Sequence, residues 1–160
     1  MYTFENMTKG HAVDISFWQY GPPYDMYSLD GSEAVRKELL EHEYYAVMKE
    51  GRLIGYFCVK EAAQVPAGRA LSMYEGNLLD VGIGMRPDVT GEGRGAAFFE
   101  AVLSHIETVY APIGIRLTVA AWNARAIRLY EKMGFRQARS FYRGNAEFYI
   151  MIRSNDSSFY

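Results

Sequence analysis

A mixed α/β (α+β) layer is the fold class this sequence predicts, and three observations carry it. Short aromatic or β-branched runs alternate with amphipathic stretches in the order strand, two helices, three strands, helix, strand, helix, two strands. Two of those runs flank a four-residue turn and so read as an antiparallel hairpin. No linker, repeat or composition shift divides the chain. Residues 1–160 therefore read as one domain, with the polar end from about 154 to 160 as a frayed tail.

Residues 2–7 open as a short strand, and Thr8 caps a helix over roughly 9–20 that puts Ala12, Ile15 and Trp18 on one side. Gly21-Pro22-Pro23 stops that helix and begins a loop with Tyr24, Met26 and Tyr27. Ser32 caps a second helix to about Glu41. The runs 44–48 and 53–59 flank Lys49-Glu50-Gly51-Arg52 and form the hairpin; residues 60–76 read as a polar connection. The next strand covers 78–85 and ends at Arg86-Pro87-Asp88. A long helix over about 93–110 repeats Phe98, Phe99, Val102, Leu103, Ile106, Val109 and Tyr110 along one stripe. Residues 115–121 form a strand, and 123–133 a helix with Asn123 at its start and Gly134 just past its end. Two strands around Gly144-Asn145 close the chain.

Composition narrows the function classes. An apolar share of 49% and a charged share of 22% suit a globular protein, and a net charge of -2 disfavours a nucleic-acid platform. Cys58 is the only cysteine, so no internal disulfide forms; with no basic-then-apolar leader, the expectation is a cytoplasmic protein. No apolar run reaches the ~20 residues that span a bilayer. His11, His42 and His105 are scattered without metal-ligand spacing, so no metal is expected.

The informative segment runs from Asp80 through Ile83, Gly84 and Met85 to Thr90-Gly91-Glu92-Gly93-Arg94-Gly95. A strand feeds a turn with three alternate glycines, and the long helix leaves from it. Glycine admits positive φ and a close ligand, and the first amides of a helix are unpaired and carry its positive end, which suits a pyrophosphate. The spacing is not that of a dinucleotide fingerprint, and no lysine makes it a P-loop. Taken alone, the glycines also fit a simple tight turn.

A second motif lies downstream, Asn123-Ala124-Arg125-Ala126-Ile127-Arg128-Leu129-Tyr130-Glu131-Lys132-Met133-Gly134-Phe135. With it the chain resembles the GNAT superfamily, the Gcn5-related N-acetyltransferases, whose patterns are Gln/Arg-x-x-Gly-x-Gly/Ala and then Asn-x-x-Ala-x-x-Leu-Tyr-x-x-x-Gly-Phe. The second pattern matches throughout. The first matches at Gly93 and Gly95, but Thr90 stands at the glutamine or arginine position.

The resemblance implies a single GNAT-like domain with a mixed, mostly antiparallel, splayed sheet of about seven strands and about four helices. It implies acetyl-CoA as co-substrate, with the pantetheine arm along Ile83, Gly84 and Met85, the diphosphate on the turn at 90–95, and Asn123 near the arm. Gly82 and Gly84 suit the bulge that such a gap needs. A free main-chain N–H near Met85 would hold the oxyanion. The acceptor would be a small-molecule or peptide amine, with Tyr24 and Tyr27 bordering its pocket. Relatives often dimerise, so a homodimer stays open.

An amine of pKa near 10.4 is neutral in roughly one molecule per few thousand at pH 7, so attack needs proton removal. The departing thiolate needs a proton, and Tyr130, at the family's tyrosine position, is the candidate acid. Its alternative reading is a core tyrosine on the stripe with Ala126 and Met133. For the base, Asp80 and a solvent relay both stand. A non-catalytic acyl-CoA sensor of the same fold is the competing function.

Overall fold

The computed structural model describes residues 1–90 and 93–154. Among these residues, seven strands form one mixed sheet in the order β1-β2-β3-β4-β5-β7-β6, accompanied by five α-helices. The chain divides into two compact units, Met1–Cys58 with Ile83–Phe99, and Val59–Gly82 with Glu100–Tyr160.

In the first unit, β1 (Tyr2–Asn6) pairs antiparallel with β2 (Tyr44–Lys49), and β2 with β3 (Arg52–Val59). The hairpin turn is tighter than the sequence suggests. Only Glu50 and Gly51 lie outside the strands, both with positive φ (52° and 79°), as a twist-matched two-residue turn requires. A bulge leaves Ile54 unmatched between the pairs Val47↔Gly55 and Met48↔Leu53.

Helices α1 (Lys9–Ser16) and α2 (Glu33–Glu41) cover this part. Thr8 and His11 cap each other's backbone reciprocally, and Ser32 accepts from the Val35 amide. α1 ends four residues short of the predicted Tyr20. The Leu29 amide takes the Trp18 carbonyl at 2.9 Å and the Gly31 amide takes that of Ser16 at 2.7 Å, so the returning loop claims acceptors that a longer helix would have used. Ala12, Ile15, Trp18, Leu39, Ala46 and Leu53 form the core here.

In the second unit, the first part of β4 (Leu79–Met85) runs parallel to β5 (Gly114–Ala120) through three pairs, Leu79↔Ile115 to Val81↔Leu117. β5 continues, paired antiparallel on its other side with β7 (Ala146–Ser154) as far as Ala120↔Phe148. β6 (Arg136–Arg143) pairs with β7 at the edge. Ala120, Phe141, Phe148 and Ile150 form a core cluster.

The predicted polar connection at 60–76 needs correction, because it contains α3 (Pro66–Ala70), which brings the helices to five. Pro66 occupies a first-turn position where its missing N–H costs nothing. Gly68 lies against Tyr74 and Phe141; a Cβ there would meet the Tyr74 ring at 2.8 Å. Five residues are too few to show a helical period, which is why the sequence reads as loop.

The long helix α4 (Gly95–Tyr110) starts two residues later than predicted, since Gly93 has φ +73°. Val102 and Ile106 on its stripe are fully buried, but Val109, predicted to share that stripe, is 57% exposed near the helix end. α5 (Ala124–Lys132) is capped as expected: Asn123 Oδ1 accepts from the Ala126 amide at 3.1 Å. Gly134 at φ +93° ends it, with the Phe135 amide reaching back to the Tyr130 carbonyl at 3.0 Å.

Candidate functional site

In the first unit, β4 delivers Ile83, Gly84 and Met85 to the turn before α4. Gly84 is obligatory for a reason the sequence hides: a Cβ there would lie 2.2 Å from two ring atoms of Tyr56 and 2.5 Å from its hydroxyl. The glycine thus admits an aromatic ring, beyond any demand of a bulge. Gly55 on β3 is similarly confined, since a Cβ there would stand 2.5 Å from the Phe98 ring and 2.7 Å from the Gly84 carbonyl.

The Met85 carbonyl accepts from the Tyr20 hydroxyl at 2.6 Å. Next to it, the Arg86 amide donates to the Ile54 carbonyl at 2.8 Å, and its guanidinium donates to the Leu53 carbonyl (2.7 Å) and to Asp14 (2.5 Å). Asp14 also accepts from Trp18 Nε1 at 3.0 Å, and the guanidinium lies 5.1 Å from the Trp18 ring centre. The end of β4 is therefore clamped to α1 and the chain just after it.

Pro87–Val89 makes one short 3-10 turn. The Thr90 hydroxyl donates to the Pro87 carbonyl at 2.8 Å, so its side chain closes its own turn. Gly91 and Glu92 lie outside the described residues. Gly93 adopts the left-handed region with nothing within 4 Å of where a Cβ would be. The Arg94 carbonyl accepts from the Phe98 amide at 3.0 Å, and Gly95 opens the 16-residue α4. The start of a long helix is in general a place where backbone amides and the helix dipole favour an anion.

In the second unit, Asn123 is 8% exposed and fully engaged as a cap on its acceptor side. Tyr130 is half-buried in α5, with its ring 6.2 Å from that of Phe135.

Asp80 is 4% exposed and forms a forked pair with Arg116, itself 3% exposed: Nε to Oδ1 at 2.5 Å and Nη2 to Oδ2 at 2.9 Å. Gln64 donates to Oδ2 at 2.8 Å. The remaining guanidinium donors hold the carbonyls of Glu75 and Tyr74 at 2.8 and 2.9 Å. The Tyr74 hydroxyl accepts from the Val65 amide (3.1 Å) and bonds Thr118 Oγ1 (2.8 Å). Both oxygens of Asp80 are thus committed to a buried network that fastens residues 74–75 to β4 and β5.

Tyr24 and Tyr27 begin and end a 3-10 turn in the loop after α1; Tyr24 is half-buried and Tyr27 exposed. The structure also shows a feature that sequence reasoning misses. A cavity of about 290 Å³ in the first unit is lined by Leu29, Asp30, Ser32, Glu38, Tyr44 and Tyr56, among others. Tyr44 and Tyr56 have ring centres 6.0 Å apart, and Trp18 lies 6.0 Å from Tyr56. Burial pushes both phenols well above their ordinary value. Strand parity held the signal, since Tyr44 and Tyr56 share a face once Tyr44↔Cys58 and Ala46↔Tyr56 are the registers. Periodicity alone marks both as core.

Among the described residues, no group of three or more His, Cys, Asp or Glu is arranged to hold a metal ion, and no helix is long and apolar enough to cross a membrane.

A family model described as the acetyltransferase (GNAT) family matches residues 12–135. No curated protein sequence matches the chain. Among solved structures, an aminoglycoside acetyltransferase AAC(6')-Ib in complex with coenzyme A has TM-score 0.75 at 19% identity, covering 97% of this chain and 95% of that one. The same enzyme with ribostamycin and coenzyme A also has TM-score 0.75 at 19% identity, covering 96% and 93%. A chimera of the spermidine N-acetyltransferase SpeG from Vibrio cholerae and hSSAT has TM-score 0.67 at 18% identity, covering 96% and 95%. At these identities the likeness is one of fold.

Proposed function

From the premise that the chain belongs to the acetyltransferase (GNAT) family, we propose that it moves an acetyl group from acetyl-CoA to a primary amine by direct attack in a ternary complex. The observation that carries this reading is the open, left-handed Gly93 just before α4, at a glycine position of the family motif, where a helix start would favour a diphosphate. The solved relatives support it: one holds coenzyme A together with the aminoglycoside ribostamycin, and another is named for acetylating spermidine.

In this reading the turn at 90–95 holds the diphosphate, with main-chain amides contributing more than Thr90, whose hydroxyl is turned onto Pro87. The main chain of Ile83, Gly84 and Met85 carries the thioester arm, and Asn123 takes the role that the family motif gives it beside its helix cap. Tyr24 and Tyr27 wall the acceptor side. Acetyl-CoA supplies the activated acyl carbon and a thiolate leaving group. Solvent takes one proton from the substrate ammonium so that the neutral amine attacks, Tyr130 gives its proton to that thiolate, and the second proton lost by the nitrogen restores Tyr130 through solvent. We assign the base to solvent over Asp80 because both carboxylate oxygens are held by Arg116 and Gln64.

The test is release of free thiol from acetyl-CoA across a panel of amines, run beside thermal unfolding with and without acetyl-CoA. Turnover on at least one amine, with acetyl-CoA raising the melting temperature, is expected. Stabilisation without turnover on any amine would make the chain an acyl-CoA sensor, and no stabilisation would remove the cofactor altogether.

A further inference from the structure

We propose that Tyr20 is a positioning residue for acetyl transfer: by donating to the Met85 carbonyl it fixes the end of β4 so that the Met85 amide is aimed at the thioester oxygen. The inference deepens the proposed function and rests on it for the course of the thioester arm along β4.

The peptide unit between Met85 and Arg86 is gripped on both edges. Its N–H donates to the Ile54 carbonyl of β3 at 2.8 Å, and its C=O accepts from the Tyr20 hydroxyl at 2.6 Å. An extended residue turns its own N–H and C=O to one side, and the next residue turns them to the other. With the Arg86 amide on β3, the amide and carbonyl of Met85 both face away from β3. Tyr20 therefore meets β4 on the edge to which the Met85 N–H points.

A restraint matters at this point, because Gly84 leaves the peptide before Met85 with little steric restriction of its own. A main-chain donor stabilises a developing oxyanion only when it is already aimed at it, and a misplacement of about 1 Å can cost roughly 10²-fold in rate. Tyr20 is itself held, since its amide donates to Ser28 Oγ at 2.7 Å. On the far side of Met85, the Arg86 guanidinium is tied to the Leu53 carbonyl and to Asp14, so the following residue is anchored as well. Burial pushes the Tyr20 phenol up to about 12, and at neutral pH it keeps the proton that it donates.

The experiment reads the infrared band of acetyl-CoA, isotope-labelled at the thioester carbonyl carbon, bound to the wild type, Tyr20→Phe and Ser32→Ala. Ser32→Ala removes the cap of α2, which costs stability without removing a contact to β4. The wild-type band is expected below that of free acetyl-CoA, because a donor aimed at the oxygen weakens the C=O bond. In Tyr20→Phe it should return toward the free position, and in Ser32→Ala it should stay where the wild type has it. With an amine acceptor, kcat of Tyr20→Phe should fall ~10-fold while KM for acetyl-CoA holds. A band that Tyr20→Phe leaves in place, an equal return in Ser32→Ala, or a loss confined to KM overturns the role of Tyr20 and leaves the enzyme reading intact. Absence of any acetyl-CoA binding overturns both. The band needs no turnover, so a return in Tyr20→Phe alone supports the role of Tyr20 where no amine is acetylated, a result that counts only against the enzyme reading.

Discussion

The Tyr20 hydroxyl donates to the Met85 carbonyl across 65 residues of sequence, at 2.6 Å. It fastens the chain just after α1 to the last residue of β4, where the candidate thioester strand ends. Tyr20→Phe removes one donor and leaves a partly buried carbonyl unsatisfied, so a loss of about 1–2 kcal/mol in urea unfolding is expected. An unchanged midpoint and slope would show that the bond contributes nothing.

Burial pushes the Tyr20 phenol up to about 12 from 10.0. A group raised on folding adds stability in full below its unfolded value and loses it as pH climbs through the folded one. Stability should therefore fall between pH 10 and 12, by roughly 2–3 kcal/mol from this group alone. Burial raises Tyr44 and Tyr56 as well, which extends the decline upward. Urea unfolding at stepped alkaline pH, with phenolate absorbance alongside, reads both; a flat profile across that window contradicts the burial.

Asp80→Asn separates a structural carboxylate from a catalytic one. Removing one partner of a buried pair strands the Arg116 charge, at a cost of about 3–5 kcal/mol. A large loss of stability is expected, with the residual folded protein still turning over. Intact stability with abolished transfer and an altered pH profile would return Asp80 to the role of base.

Gly84→Ala sets a methyl into the Tyr56 ring, and about 1–3 kcal/mol of destabilisation should follow. Tyr56→Ala in the same chain should return part of that loss, because the three nearest atoms to the added methyl all belong to Tyr56. Additive effects in a double-mutant cycle would mean that the ring is not what confines this position.

Tyr130→Phe should lower kcat by roughly 10²–10⁴-fold while the stabilisation by acetyl-CoA persists, as loss of a general acid requires. Undiminished turnover would leave Tyr130 as packing against Phe135.

Much of this protein is legible from the chain because its signals are local. Asn123 and Gly134 announce both ends of α5 by capping chemistry, and the α4 stripe follows from 3.6-residue spacing. The alternate glycines and the Asn-to-Phe motif carry the resemblance to the family whose model matches residues 12–135. Where meaning lay in pairing across the chain, sequence was silent. Nothing near Asp80 predicts Arg116 and Gln64, nothing near Gly84 predicts the Tyr56 ring, and the end of α1 was set by Leu29 and Gly31 returning to take its carbonyls. The cavity beneath α2 needed strand parity, register and a helix position together, and only folding fixes all three. Periodicity and capping are properties of neighbouring residues, whereas burial, ion pairing and close packing belong to residues that meet only in the tertiary structure.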